Sequence, residues 1–240
     1  MEDINVEYIQ RFHDRHIEAC SVCNSSTGII CPNGEALLRL EEKKVKAGIP
    51  IEYRKLTLEH MVETKLKGVL GEVWEYIKNY ESNLERGIGL FLFSKDTGTG
   101  KTAIAYGIAM EFLKRDKTAY CIGFDQCIDL LSSYALNAES QRQFRQKLLS
   151  VDLLILDDLG LKISLTEKQK EFVQNQFTLL FRERSSNLKP VILTSNKLVD
   201  DLEKLYGQQF KSVFMSRTKS IEFPEGDYRA LELNVGGYET

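Results

Sequence analysis

The chain has 240 residues, 42% apolar and 28% charged, with only 4 Pro and 16 Gly. That composition excludes disordered, collagen-like and fibrous classes, and the length suits one α/β domain of about 150 to 200 residues with a small attached segment. Net charge is -3 at pH 7, so contact with nucleic acid requires a local basic patch rather than bulk attraction.

Residues 1 to 50 differ in texture from the rest: a short amphipathic stretch (Ile4, Tyr8, Ile9, Phe12) precedes a cysteine cluster and a charged run from Arg39 to Lys46. They are read as a small separate module. No run reaches the roughly 20 apolar residues of a membrane span, and Met1-Glu-Asp-Ile-Asn5 lacks a basic signal-peptide start, so a cytoplasmic chain without a membrane partner is expected. Gly48-Ile-Pro50 breaks the chain and opens a linker-and-helix segment, 51–88. Within it Leu66, Val69, Leu70, Val73, Trp74, Ile77 and Leu84 recur at three-and-four spacing, which predicts an amphipathic helix between Leu56 and Leu84.

From residue 89 to 240, short apolar runs alternate with longer periodic stretches. Strands are predicted at Leu90–Phe93, Ala119–Phe124, Leu153–Leu156, Val191–Leu193 and Ser220–Phe223, the first four buried on both faces. Helices are predicted at Lys101–Lys114, Phe124–Tyr134, Ser140–Leu149, Glu167–Arg184 and Val199–Tyr206. This alternation indicates an α/β fold with a mostly parallel sheet and helices on both sides.

Thr97-Gly-Thr-Gly-Lys-Thr102 lies between the first such strand and the first such helix, where a phosphate-binding loop must sit. Gly98 and Gly100 let backbone N–H groups approach phosphates at a helix N-terminus. Lys101 would meet the β and γ phosphates and Thr102 would ligate Mg²⁺, so Lys95, Asp96, Thr97, Gly98, Thr99, Gly100, Lys101 and Thr102 form the candidate ATP-binding set. The full pattern asks for Gly where this chain has Lys95, which puts the tightness of the turn in question. Downstream, Asp152-Leu-Leu-Ile-Leu-Asp157-Asp158 delivers two carboxylates from the C-terminal end of an apolar strand, like a Walker B motif. Asp157 would hold Mg²⁺ through water and Asp158 would orient or deprotonate the attacking water. A third apolar run, Val191-Ile-Leu-Thr-Ser-Asn196, ends in groups that also make ordinary helix caps.

Together with Gly48-Ile-Pro-Ile-Glu-Tyr53 and Met215-Ser-Arg217, these motifs resemble the DnaC/DnaI-type helicase loaders and their IstB relatives among transposition ATPases, from about Lys46 to Leu233. The resemblance implies an AAA+ P-loop NTPase with strand order 5-1-4-3-2 that oligomerises around its nucleotides. It places Asn196 at sensor 1, Arg217 at the arginine finger and Arg229 at a sensor 2 position. It implies a replicative helicase and single-stranded DNA as partners, with the 1–50 module contacting the helicase. An IstB-like transposition ATPase and a non-hydrolysing nucleotide-binding adaptor are the rival readings.

Cys20-Ser-Val-Cys23 has the spacing of a zinc half-site, Cys31 follows, and His16 stands one helical turn before Cys20. Either one Zn²⁺ is held by these four residues or the thiols are free on a packed module. Cys121 and Cys127 read as core residues. Arg142, Arg145 and Lys147 form one candidate DNA-facing cluster, and Lys204, Lys211 and Lys219 another; the other reading of both is a solvated helix face.

Overall fold

The computed structural model describes residues 2–20, 23, 31–61, 66–132, 137–160 and 166–227. Helices α1 (Glu2–Ala19) and α2 (Pro32–Lys46) lead into short 3₁₀ turns at Ile51–Tyr53 and Leu58–Met61, then α3 (Lys67–Lys78) and α4 (Tyr80–Arg86). Strands β1 (Gly89–Phe93), β2 (Ala119–Gly123), β3 (Leu153–Asp157), β4 (Val191–Ser195) and β5 (Thr218–Glu222) follow. The intervening helices are α5 (Lys101–Lys114) after β1, α6 (Phe124–Ser132) and α7 (Ala138–Ser150) after β2, α8 (Glu167–Ser186) after β3 and α9 (Val199–Met215) after β4.

All four strand pairings are parallel, in the order β2-β3-β4-β1-β5, which is the 5-1-4-3-2 order expected from the resemblance. Strands β1 to β4 are buried almost throughout, as their unbroken apolar runs predict, whereas β5 buries only Ile221. One core lies between the sheet and α5, whose residues Ala103 to Leu113 are all buried because α3 and the linker cover its outer side. The other face packs α8 and α9 through an aromatic cluster in which Phe124 meets Phe177 at 4.5 Å and Phe181 meets Phe210 edge-on. The buried Arg184 guanidinium ties this side together, donating to the carbonyls of Leu148, Val151 and Pro190.

Two predicted helices differ from those found. The stretch from Leu56 to Leu84 is not one helix: α3 stops at Asn79, where the Asn79 amide donates to Glu75 O and the Asn83 amide to Tyr76 O, side-chain bonds that compete with the helical ladder. Helix α9 runs beyond Tyr206 to Met215 across a kink at Gly207, a residue with φ 84° that a side chain would resist. At the amino-terminal side, the Cys121 amide donates to Ala47 O, covering the outer edge of β2, and Ala47 and Ile49 are buried in the core. A buried polar set holds this stretch: Lys44 Nζ donates to Glu41 Oε1 and Arg54 O, and Arg54 Nε donates to Ile49 O. No helix among the described residues is long and apolar enough to cross a membrane.

Candidate functional site

Because the strands are parallel, their C-terminal ends open on one edge of the sheet. The order β3-β4-β1 sets Asp157, Ser195 and Phe93 side by side there, with Phe93 registered against Ser195. The loop after β1 wraps back into α5 through Gly98 (φ 73°) and Gly100 (φ 85°), left-handed conformations that glycine adopts without strain. Lys95 has no positive φ, so the position where the full phosphate-loop pattern asks for Gly closes with a lysine in ordinary backbone geometry. The Lys95 side chain is exposed. Lys101 is 7% exposed, and its ammonium donates to Asp96 O at 2.9 Å and Thr99 Oγ1 at 2.8 Å. Burial lowers its pKa, opposed by the charges of Asp158, Asp157 and Asp96.

The Asp157 carboxylate collects three hydroxyls. Thr102 Oγ1 and Thr194 Oγ1 donate to Oδ1 at 2.9 and 2.6 Å, and Tyr106 OH to Oδ2 at 3.3 Å. Thr194 Oγ1 also accepts the Asp158 N–H at 2.8 Å, Ser195 Oγ donates to Leu159 O, and the Asn196 amide reaches Asp158 Oδ1 at 3.4 Å. Thr194 and Ser195 at the end of β4, with Asn196 just after it, therefore hold the acidic turn by three consecutive residues. Asp158 sits at φ 58°, and burial, then the charges of Asp157 and Asp125, raise its pKa against the pull of Lys101.

These groups line a cavity of about 670 Å³ bounded by Thr97 to Ala103, Tyr106, Asp157, Asp158, Thr194 and Asn196, with Pro50, Glu52 and Tyr53 as its outer wall. Thr102 and Asp157, a hydroxyl and a carboxylate 2.9 Å apart at the mouth of the phosphate loop, are a hard-oxygen pair that fits Mg²⁺. Of the residues singled out from sequence, Lys95 and Asp96 do not line the cavity; Asp96 instead accepts the Gly226 N–H through Oδ2. Arg217 lies at the opposite edge of the sheet, where its carbonyl accepts the Gly89 N–H and its Nη1 donates to Arg86 O. Arg229 falls outside the described residues. Sequence reasoning missed Thr194, Tyr106 and Tyr53, whose hydroxyls and rings sit in apolar or linker stretches and gain a role only through packing.

Residues 78–217, more than half of the chain, match the family model of the bacterial DnaA ATPase domain. The chain belongs to this family. It is also 28% identical over 141 residues to the replicative helicase loader DnaC of Escherichia coli K12, covering 58% of this chain and 54% of that protein. The chain thus spans about half the length of the curated relative it matches. Its fold is that of the crystal structure of the DnaC helicase loader (TM-score 0.59, 22% identity, 73% of this chain and 100% of that one). It is likewise that of replication initiator DnaA bound to AMPPCP and single-stranded DNA (TM-score 0.60, 22% identity, 80% and 58% covered).

The family match begins at residue 78 and leaves out the cysteine cluster. His16 and Cys20 lie on one face near the end of α1, and Cys31 caps the start of α2, its Sγ accepting the Gly34 N–H at 3.3 Å. The four ligand atoms of His16, Cys20, Cys23 and Cys31 lie within 4.8 Å of one another. Cys20 Sγ and His16 Nε2 each stand 3.9 Å from Cys31 Sγ. A tetrahedron with Zn–S bonds of about 2.3 Å has sulfur edges of about 3.8 Å, so the donor set fits zinc. Cys121 and Cys127 are buried in the core, where burial pushes the Cys127 thiol up to about 12.

The predicted basic clusters are partnered within the chain. On α7, Arg142 pairs with Glu139, Arg145 with Glu183, and the Lys147 ammonium lies 3.7 Å from the Tyr120 ring centroid. Lys204 pairs with Asp201, Lys211 with Asp200 and Glu203, and Lys219 with Glu72.

Proposed function

We propose that this chain is an ATPase that binds a hexameric replicative helicase and places it on single-stranded DNA, acting in the cytoplasm as a homo-oligomer. The observation that carries the ATPase reading is the convergence of Lys101, Thr102, Asp157, Asp158 and Asn196 on one cavity at the C-terminal edge of the sheet. In this reading the loop N–H groups and Lys101 hold the phosphates, Asn196 and Asp158 orient a water, and Asp158 takes its proton as oxygen attacks the γ-phosphorus. The bond to the β–γ bridging oxygen breaks, releasing ADP and phosphate. Thr102 and Asp157 are the residues that would hold Mg²⁺, which when bound offsets phosphate charge. Arg217 lies too far round the sheet to serve its own cavity and is assigned to a neighbour's; Arg229 is assigned to sensor 2.

The loader role is supported by the likeness to DnaC. The single-stranded DNA role is supported by the fold shared with a DnaA structure that contains it. Exposed ion pairs such as Arg142–Glu139 contribute little, so exchange of a carboxylate for a DNA phosphate costs about 1 kcal/mol or less. Helices α1 and α2, with one zinc held by His16, Cys20, Cys23 and Cys31, form the helicase-contacting module.

The test is co-elution of the full chain with a hexameric replicative helicase, followed by helicase loading on single-stranded DNA circles. A stable complex, with loading that needs ATP, supports the proposal. Capture of a transposase in place of a helicase, or a helicase complex indifferent to nucleotide, contradicts it.

A further inference from the structure

Tyr106 is a buried phenol, 5% exposed, on a helix that the nucleotide reading uses only at its first turn. It stands four residues after Thr102, so both hydroxyls lie on the same face of α5. That face meets Asp157 with one hydroxyl for each carboxylate oxygen: Thr102 on Oδ1 and Tyr106 on Oδ2. The Tyr106 ring is fixed from outside by Tyr53, whose ring centroid lies 5.0 Å away at an interplanar angle of 55°. Tyr53 and Tyr106 together form the cavity wall beside the acidic turn.

We infer that Tyr106 is a positioning residue for magnesium, holding the plane of the Asp157 carboxylate once Thr102 turns away to the ion. The inference rests on the nucleotide reading above. With Thr102 engaged elsewhere, Thr194 retains Oδ1 and Tyr106 is the α5 group that retains Oδ2, so the carboxylate keeps its orientation. The 3.3 Å contact is long for an O–H···O bond, which leaves room for the carboxylate to turn toward the phenol when its bond to Thr102 is released. A purely structural role is the competing account, because a buried tyrosine hydroxyl needs some acceptor whatever the function.

Tyr106→Phe separates the two, since it removes the hydroxyl and keeps the ring against Tyr53. The experiment titrates a fluorescent ATP analogue into the full chain in EDTA and across a magnesium series, with a urea midpoint for each variant. Loss of a hydrogen bond to a charged group predicts that Tyr106→Phe raises the magnesium concentration for half-maximal tightening about three- to tenfold. Affinity in EDTA should stay within about twofold, and excess magnesium should recover turnover. In an Asp157→Asn background the same substitution should shift the magnesium requirement less than about twofold, because no carboxylate is left to orient. An unchanged magnesium requirement in Tyr106→Phe, or equal weakening with and without magnesium, overturns the inference in favour of the structural account. Wild-type protein that binds no nucleotide at all would instead reject the nucleotide reading, and the inference with it.

Discussion

Asp158 is held in a backbone conformation and a setting that both work against a relaxed, ionised carboxylate. Its φ of 58° is left-handed, and burial leads the causes that raise its pKa. A folded-state pKa above the unfolded value means that the associated stability is present below the unfolded pKa and is lost as pH rises through the folded one. Where Asp158 is ionised, its charge therefore destabilises the native protein at the position proposed to accept the proton of water. Asp158→Asn keeps the shape, removes the charge and cannot act as base, so it should retain Mg-ATP, lose about 10²-fold or more in turnover and melt higher than wild type without nucleotide. Turnover assays and thermal melts check both halves; retained hydrolysis removes Asp158 from catalysis. Wild-type turnover should fall with decreasing pH at values above the ordinary Asp range. At this scale Lys101, Thr102, Asp157, Asp158 and Asn196 were legible because each sits at a fixed offset from a strand end. Thr194 and Tyr106 were not, because one hydroxyl in an apolar strand or helix looks like filler until the fold sets it 2.6 or 3.3 Å from Asp157.

The elements follow the apolar patterning closely wherever packing on the sheet governs them. Strands β1, β3 and β4 are built on apolar runs, and α5 is buried from Ala103 to Leu113 because it is covered on both sides. The misses are local: the Asn79 and Asn83 amides divert helical carbonyls, and Gly207 kinks α9 instead of ending it. Between α1 and α2, the donor atoms of His16, Cys20, Cys23 and Cys31 converge, the set proposed to hold zinc. We expect about one zinc per chain, because a Cys₃His set is a complete structural site. Cys23→Ser should lower that content and the helicity contributed by α1 and α2, while ATP affinity stays unchanged. Metal analysis and circular dichroism read this directly, and full zinc content in Cys23→Ser would return the cluster to free thiols.

Across the whole molecule, the sheet order was anticipated only through the family resemblance that the motifs carry, because apolar runs mark strands but do not say which of them pair. The docking of residues 47–54 on β2 and α5 was not legible: it rests on the Ala47–Cys121 backbone bond and on the Glu41, Lys44 and Arg54 set, of which Glu41 and Lys44 read in sequence only as part of a charged run. The two ends of the sheet separate the cavity from Arg217. The cavity opens at the C-terminal edge, while Arg217 sits at the N-terminal edge beside Gly89. One chain's Arg217 therefore lies away from its own cavity, and the proposed reading puts hydrolysis at the contact between two chains. Arg217→Ala should bind ATP normally and lose about 10³- to 10⁵-fold in stimulated turnover, the usual contribution of a finger, whereas Lys101→Ala should lose ATP binding. The most direct measurement is ATP turnover by the two variants, separately and mixed. Each should be inactive alone, and the mixture should recover activity that rises with total protein concentration, because one chain supplies the nucleotide site and the other the arginine. A mixture that stays inactive while mixed oligomers form, or wild-type turnover per chain that is independent of concentration, would contradict the account.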